Sequence, residues 1–211
     1  IDILQAGVKE YVATLQLGAT TPSFDQETPV DAVYPTEHIN RKLIDDVLPR
    51  FVGTISQVPP AYSACKVDGK RAYKMARGGE AVELKPKTLV IDQIEVVDFD
   101  SSAMLLTLRV VCSKGTYIRA LARDIGEALG SGAHLAALRR TRVGDYPIER
   151  CLEIDDAVAE IYRSEIHIAQ PDGGEPLVIP PGEYHQDEKT AQADRRDILT
   201  YQERMAKNTR D

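Results

Sequence analysis

The segment CSKGTYIRALARDIG brings a lysine, a tyrosine and an arginine together where two predicted elements meet. The apolar run AMLLTLRVV before it is typical of a strand, and apolar residues at helical spacing follow it. Gly115 permits a sharp turn, and Thr116 could cap the free N–H groups of the new helix. We therefore expect Lys114, Tyr117 and Arg119 at one edge of the fold, where the lysine could contact a phosphate or a reacting group.

Strands and helices alternate along the chain without a regular βαβ rhythm, which favours an α+β fold. The stretch KEYVATLQLG alternates apolar and polar residues and predicts a strand, and KTLVIDQIEVVDFD with AMLLTLRVVC predicts a hairpin around the turn DSSA. We predict a helix capped by Thr36 and ending at Pro49, a short basic helix closed by Gly78, a helix over about 116–129, and a last helix near IDDAVAEIYRS. The sheet should be mixed but largely antiparallel, with helices flanking it.

The composition indicates a chain that can bury a hydrophobic core. It argues against a protein that binds nucleic acid over its whole surface. The chain has 211 residues, 43% of them hydrophobic, and a formal net charge of −7. No apolar run approaches the roughly 18 residues of a membrane span, and the first residues do not resemble a signal peptide, so we expect a cytoplasmic protein without membrane contact. The three cysteines suggest neither a disulfide framework nor a metal site, and we expect them to be buried.

Two basic segments interrupt this acidic chain. Residues 62–87 carry an excess of four positive charges, and residues 109–142 carry an excess of five. Basic segments are often merely solvated surface, and the RRTR run at 139–142 could equally pair with acidic neighbours. Clustered charge of this kind is also the electrostatic footprint of a nucleic-acid-binding protein.

Three segments in one order resemble the TruB-type tRNA pseudouridine synthases, which isomerise a uridine in the T-loop of tRNA. They are KEYVATLQLG with TPSFD, then GTISQVPPAYSACKVDGKRAYKMARGG, then CSKGTYIRALARDIGEALGSGAHLAALRRTRVG. The resemblance covers residues 9–154, roughly two thirds of the chain. It implies a pseudouridine synthase catalytic domain that needs no cofactor, and it implies tRNA as the partner.

The resemblance also implies roles for individual residues. Tyr11 matches a tyrosine that stacks on the flipped base, and Arg119 matches an arginine that pairs with the catalytic aspartate. Tyr117 and Leu138 match residues that line the uridine pocket. Residues 54–87 match an RNA-clamping insertion whose phosphate contacts would come from Lys66, Lys70, Arg71, Lys74 and Arg77. Lys114 is a further candidate contact from its place at the turn, and it could equally be a solvated lysine.

The chain departs from the family at both ends. The nucleophilic aspartate of the family lies in a segment close to GHxGTLDPxAxG, which is absent here, and Asp2 lacks that setting. We therefore expect an N-terminally incomplete catalytic domain over 1–170 that is inactive alone. Residues 171–211 have few apolar positions and are expected to form a charged appendage rather than a domain.

Two alternatives remain open at this point. The first is an RNA-binding module that holds tRNA without chemistry, which the missing aspartate motif favours and the predicted aromatic pocket opposes. The second is a structural or interaction domain, which salt-sensitive tRNA binding would exclude. We expect the protein to be a monomer.

Overall fold

The computed structural model describes residues 7–67, 70–78, 84–163, 166–168, 175 and 177–180. The chain divides into two compact units, Ile1–Arg150 and Cys151–Asp211. The first unit contains a six-stranded sheet, three α-helices and two short 3₁₀ helices within the described residues.

The elements of the first unit follow one another as a mixture of long sheet strands, short strand pairs and helices. In chain order they are β1 (Lys9–Leu17), β2 (Ala19–Thr20), β3 (Ala32–Val33), α1 (Arg41–Val47), a 3₁₀ helix (Leu48–Phe51), β4 (Gly53–Gln57), β5 (Lys66–Val67), β6 (Lys70–Arg71), α2 (Ala72–Arg77), β7 (Lys87–Asp100), β8 (Leu105–Cys112), α3 (Ile118–Ala128), β9 (Ala133–Val143), β10 (Tyr146–Pro147) and a second 3₁₀ helix (Ile148–Arg150).

The main sheet has the strand order β10-β9-β1-β8-β7-β4, and every neighbouring pair is antiparallel. Along β1 the buried residues Ala13, Leu15 and Leu17 alternate with half-buried ones. The buried set shares one core with α3, so this face of the sheet is the one that α3 covers. The predicted α+β class, with a largely antiparallel sheet and flanking helices, is confirmed.

Close packing brings α3 directly onto β9. A Cβ atom at Gly126 would lie only 2.3 Å from the backbone nitrogen of Ala133, so a larger residue would push the helix away. On the core side of α3, Ile118, Leu121 and Ile125 are all buried. Burial of each such side chain contributes about 1.5–3 kcal/mol to folding. The start of α3, where Arg119 lies, is therefore held at a fixed height above the sheet.

Two of the predicted helix caps are wrong. The first helix begins at Arg41, where the Asn40 side chain accepts the Leu43 N–H, and Thr36 lies outside it. Asn is an equally good cap and stands closer to the first buried turn. At the start of α3, Thr116 donates its hydroxyl to the Ser113 carbonyl instead of capping the helix.

The predicted turn at residue 115 and the predicted hairpin are confirmed. Gly115 has φ +87°, a left-handed conformation that favours glycine. Strands β7 and β8 pair antiparallel, from Ile91 with Cys112 at one end to Asp100 with Leu105 at the other. The Asp100 carboxylate accepts the N–H groups of Ser102 and Ala103 and so closes the turn between them.

The second unit contains α4 (Ile154–Arg163), the predicted last helix, and an antiparallel pair of β11 (Ile166–Ile168) and β12 (Leu177–Ile179). The expected boundary near residue 170 and most of the 171–211 appendage lie outside the described residues. In the part of the chain that is described, no helix has the length and apolarity to span a membrane.

The sheet face opposite α3 carries a charged network around Glu10, near the start of β1. The Glu10 carboxylate accepts hydrogen bonds from Arg109 at 2.6 Å and from Thr141 at 2.8 Å, and Arg142 lies 3.7 Å away. The Thr141 hydroxyl lowers the pKa of Glu10, burial opposes this by raising it, and the two arginines lower it further, so that the net direction is downward. The network joins β1 to both of its neighbours, β8 and β9.

We predict that Glu10→Gln lowers the free energy of unfolding by about 1 kcal/mol at pH 7. Because the pKa of Glu10 is lower in the folded than in the unfolded protein, this contribution is present above the unfolded value and disappears as pH falls through the folded one. Urea unfolding at pH 7 and pH 3 should therefore show a smaller difference from the parent protein at pH 3 than at pH 7. Glu95→Gln, at the exposed end of the network, serves as the control and should have less than half the effect. An equal loss at both pH values would contradict the ionic origin.

Candidate active site

Arg119, in the first turn of α3, forms an ion pair with Asp25 in the loop that follows β2. Its Nη1 donates to Oδ2 of Asp25 at 2.6 Å, and its Nη2 donates to the Tyr62 carbonyl at 2.6 Å. The two side chains are 21% and 24% exposed, so the pair is largely shielded from solvent. A guanidinium has five N–H donors, and these contacts occupy two of them.

The loop around Asp25 is held by hydroxyl groups. Thr21 and Ser23 are buried, and both donate to the Asp25 carbonyl, at 2.6 and 3.2 Å. The Ser23 hydroxyl also donates to Oδ1 of Asp25 at 2.6 Å, and the Glu27 N–H donates to the same oxygen at 3.0 Å. Both carboxylate oxygens of Asp25 are therefore engaged.

The pKa of Asp25 lies below its usual range. Burial acts to raise it, but the Ser23 hydroxyl, the Glu27 N–H and the Arg119 guanidinium all bind the charged form and together outweigh burial. The carboxylate is thus ionised at neutral pH and holds the guanidinium of Arg119 in place. A carboxylate bonded in this way is suited to orient a cation, and it has little freedom to attack a substrate.

Tyr11 and Leu138 lie on the sheet face that α3 covers. Tyr11 follows the alternation of buried residues along β1, and Leu138 is paired with Ala13 on β9. Arg140, paired with Tyr11, places its guanidinium 5.6 Å from the centre of the tyrosine ring. Leu138 is 48% exposed, which leaves an apolar side chain open to solvent at this end of the sheet. Tyr11 and Leu138 thus share the sheet face that α3 covers, and Arg119 lies in the first turn of that helix.

Tyr117 is fixed through its backbone by the buried side chain of Gln57. The amide of Gln57 accepts the Tyr117 N–H at 2.9 Å and donates to the Tyr117 carbonyl at 3.3 Å. The Tyr117 hydroxyl lies 3.1 Å from the sulfur of Cys65, and Nζ of Lys87 donates to the same sulfur at 3.4 Å. The fourth predicted pocket residue therefore binds the segment that was predicted to clamp RNA.

That segment contacts the site at two points, through the Tyr62 carbonyl on Arg119 and through an ion pair of Arg77 with Glu27. Arg71 and Lys74 are exposed, as phosphate contacts would need to be, and so is Lys114 near the start of α3. The side chains of Lys66 and Lys70 lie outside the described part of the structure.

Several other polar residues have structural partners. His134 is buried, and its Nδ1 lies 3.0 Å from the Ala19 carbonyl, which indicates a structural role. Asp124 pairs with Arg123, and burial raises the pKa of its carboxyl. Arg142 of the RRTR run lies 3.7 Å from Glu10, so part of that run pairs with an acidic neighbour.

The expectation of three buried cysteines is wrong, because Cys112 is buried, Cys65 is half-buried and Cys151 is exposed. Among the described residues, no group of three histidine, cysteine or acidic side chains could hold a metal ion. A surface groove of about 640 Å³ lies between β4 and α3. Its lining contains none of the predicted pocket residues.

Sequence reasoning missed Asp25 as a site residue. The segment TPSFD was part of the family resemblance, but its aspartate received no role. The available signal was the group of hydroxyl residues around it, Thr21, Ser23 and Thr28, since hydroxyl groups in a polar loop can hold a carboxylate ionised. Only the fold brings this loop to Arg119, which is 94 residues further along the chain.

Comparisons with known proteins point to one family. Residues 1–118 match the family described as "TruB family pseudouridylate synthase (N terminal domain)", and residues 119–171 match "tRNA pseudouridylate synthase B C-terminal domain". The chain is 64% identical over 159 residues to tRNA pseudouridine synthase B of Parabacteroides distasonis, a match that covers 74% of this chain and 67% of that protein. It is 64% identical over 169 residues to the Bacteroides fragilis protein of the same name, covering 80% of this chain and 72% of that protein.

Two solved structures share the fold. One is the crystal structure of a Cbf5-Nop10-Gar1 complex, with a TM-score of 0.54 and 30% identity over 76% of this chain and 38% of that chain. The other is an H/ACA RNP bound to a substrate RNA containing 2'-deoxyuridine, with a TM-score of 0.50 and 27% identity over 76% of this chain and 36% of that chain. The chain thus spans about two thirds of these curated relatives and just over a third of these solved chains.

The contacts of Cys65 predict that it is the most reactive of the three thiols. Burial acts to raise its pKa, but hydrogen bonds with Tyr117, Ser63 and Lys87 lower it, whereas burial raises the pKa of Cys112. With limiting iodoacetamide at pH 7, mass spectrometry should find Cys65 alkylated several-fold faster than the exposed Cys151, and Cys112 unmodified. Lys87→Met should slow Cys65 and leave Cys151 unchanged. Equal rates at Cys65 and Cys151 in the parent protein would contradict the prediction.

Proposed function

Since the chain belongs to the TruB family of pseudouridylate synthases, we propose that it forms the catalytic part of an enzyme that converts a T-loop uridine of tRNA to pseudouridine. The family membership and the enzyme class expected from the three sequence motifs are confirmed. In the proposed reaction the C1′–N1 glycosidic bond breaks, the uracil turns, and a C1′–C5 bond forms. The proton leaves C5 and N1 gains one, so the product is an isomer of the substrate.

The observation that carries the proposal is the half-buried Arg119, fixed by Asp25 at the start of the helix that covers the sheet face bearing Tyr11. In the proposed site the flipped uracil stacks on the Tyr11 ring, which partly offsets the few kcal/mol lost on unstacking. Burial raises the pKa of the Tyr11 hydroxyl, so this ring is neutral at physiological pH. Leu138 and Tyr117 complete the walls of the pocket.

The attacking carboxylate in this proposal is not Asp25. Both oxygens of Asp25 accept hydrogen bonds, and the low pKa of the carboxyl makes it a weak nucleophile. In this proposal, the N–H donors of Arg119 that have no partner among the described residues orient a second carboxylate, which starts the reaction by attack on the sugar or on the base. We propose that this carboxylate comes from a part of the enzyme other than residues 1–211, and that these residues alone form no pseudouridine.

The binding part of the proposal assigns tRNA phosphates to the basic side chains of residues 54–87. Arg71 and Lys74 are exposed, and the ion pair of Arg77 with Glu27 could open when a phosphate competes for the guanidinium. We further propose that the enzyme acts as a monomer in the cytoplasm and that it needs no metal or cofactor, since neither redox nor phosphoryl chemistry occurs.

Arg119→Ala in the full-length enzyme tests the catalytic assignment. We expect the single-turnover rate of pseudouridine formation to fall by about 100-fold or more, because a preorganised charge is removed from the site. The Kd for tRNA should change by less than about threefold, because Arg119 is not among the proposed phosphate contacts. Equal losses in rate and in affinity would contradict the assigned role, and binding without any product in the parent enzyme would favour an RNA-binding module.

Lys74→Ala tests the clamp. We expect weaker tRNA binding and a salt dependence reduced by about one phosphate contact, with the single-turnover rate at saturating enzyme nearly unchanged. Lys42→Ala removes an exposed lysine of α1 and serves as the matched control, with no effect on either quantity. A large loss of the chemical rate in Lys74→Ala would show that the clamp is wrongly assigned.

A further inference from the structure

Two successive residues of the loop, Phe24 and Asp25, are each held by an arginine of α3. Asp25 pairs with Arg119, and the ring of Phe24 lies under the guanidinium of Arg123, whose central carbon is 4.7 Å from the ring centre. Arg119 and Arg123 are four residues apart and therefore lie on the same side of the helix. The proposed function uses only the first of these two contacts.

Phe24 adopts a backbone conformation that its neighbours must maintain. Its φ is +64°, in the left-handed region that non-glycine residues rarely occupy. The Phe24 N–H donates to the Thr21 carbonyl at 3.0 Å, and the Phe24 carbonyl accepts the Leu135 N–H of β9 at 2.9 Å. The backbone on both sides of the residue is thus tied down, and the ring is the third point of attachment.

The guanidinium of Arg123 is fixed over the Phe24 ring, because it also donates hydrogen bonds to Asp124 and Val58. Nε and Nη2 donate to Oδ1 of Asp124, at 2.8 and 2.6 Å, and Nη2 also donates to the Val58 carbonyl at 3.2 Å. Its side chain is 17% exposed. A cation over an aromatic face that is shielded from water gains more than an exposed one.

We propose that Phe24 and Arg123 act as positioning residues that set the direction of the Asp25 carboxylate and, through it, of the Arg119 guanidinium. The proposal rests on the proposed function. A change in the backbone of Phe24 rotates the next residue, Asp25, whose carboxylate must meet the Ser23 hydroxyl, the Glu27 N–H and Arg119 together. Displacements of about 1 Å in such a constellation cost up to about 100-fold in rate.

The test uses Phe24→Leu and Arg123→Gln in the full-length enzyme. Leucine carries the same left-handed strain as phenylalanine and differs in lacking the aromatic face, whereas Phe24→Tyr keeps that face. We expect the single-turnover rate to fall about tenfold in the first two variants and to stay near the parent value in Phe24→Tyr. The Kd for tRNA should change by less than about twofold in all three, because none of them removes a proposed phosphate contact.

Two controls separate positioning from general loss of packing or charge. Phe99→Leu shortens a half-buried ring on β7, and Arg41→Gln removes an exposed arginine of α1. Both should retain the parent rate. If Phe24→Leu proves too unstable to assay, Arg123→Gln carries the test from the other side of the contact.

A double-mutant cycle with Asp25→Asn shows whether the effect passes through Asp25. We expect Phe24→Leu to cost about tenfold in the parent enzyme and less than about twofold when Asp25 is already Asn. Equal losses in both backgrounds, or no loss in the parent background, would overturn the proposal.

The pH dependence gives a readout that a merely structural role would not move. The charged groups around Asp25 are Arg119 on α3 and Glu27 in its own loop, with Arg77 of α2 paired to Glu27. Because these contacts hold the pKa of Asp25 low, loss of its alignment should raise that pKa toward the ordinary value. The acid limb of the rate profile should therefore move to higher pH in Phe24→Leu and stay in place in Phe99→Leu.

An NMR titration of the Asp25 carboxyl carbon measures the same shift without any assay of activity. A raised pKa of Asp25 in Phe24→Leu would support the positioning role even if the parent enzyme formed no pseudouridine. The absence of product in the parent enzyme would contradict the proposed function and not the positioning role. An unchanged pKa of Asp25 would overturn the positioning role.

Discussion

The ion pair between Arg119 and Asp25 is the interaction on which the rest of the site depends. A guanidinium that is only 21% exposed needs a counter-ion, since an unpaired charge in such a position is costly. The hydroxyl groups of Thr21 and Ser23 fix the backbone and side chain that carry this counter-ion. The helix that carries Arg119 is in turn held against β9 by the close approach at Gly126. The orientation of the Arg119 guanidinium thus depends on the loop that carries Asp25, on α3 and on β9.

Arg119 also joins helix α3 to the basic segment. Arg119 donates to the Tyr62 carbonyl as well as to Asp25, and Tyr117, two residues earlier, meets the sulfur of Cys65. Gln57, at the end of β4, binds the backbone of Tyr117 from the other side. Movement of residues 58–65 would therefore displace Tyr117 and Arg119 at the start of α3. In an enzyme that closes on RNA, such contacts would let binding and alignment of the site influence one another.

Local patterns in the sequence predicted much of the fold and one partner, Arg119, of the ion pair with Asp25. The alternation along β1, the hairpin of β7 and β8 and the left-handed turn at Gly115 depend on neighbouring residues, and all three are present. The predicted N-caps at Thr36 and Thr116 were wrong because several residues near each helix start could cap the helix. Only the tertiary contacts decide which of them does so. Asp25 was missed because its function depends on a partner 94 residues away. An ion pair between distant residues produces no periodic pattern in the sequence. The hydroxyl groups of Thr21 and Ser23 bind Asp25 only after the loop has folded.

The central claim is that Arg119 and Tyr11 meet at a uridine pulled out of its loop, with Asp25 as an anchor rather than the attacking group. A crystal structure of the full-length enzyme with a T-loop stem–loop RNA tests it most directly. The account predicts that the target uracil lies against the ring of Tyr11, that Asp25 remains bonded to Arg119, and that a second carboxylate approaches the nucleotide. A uridine still stacked within its own loop, or one whose sugar or base is approached by Asp25 itself, would contradict it.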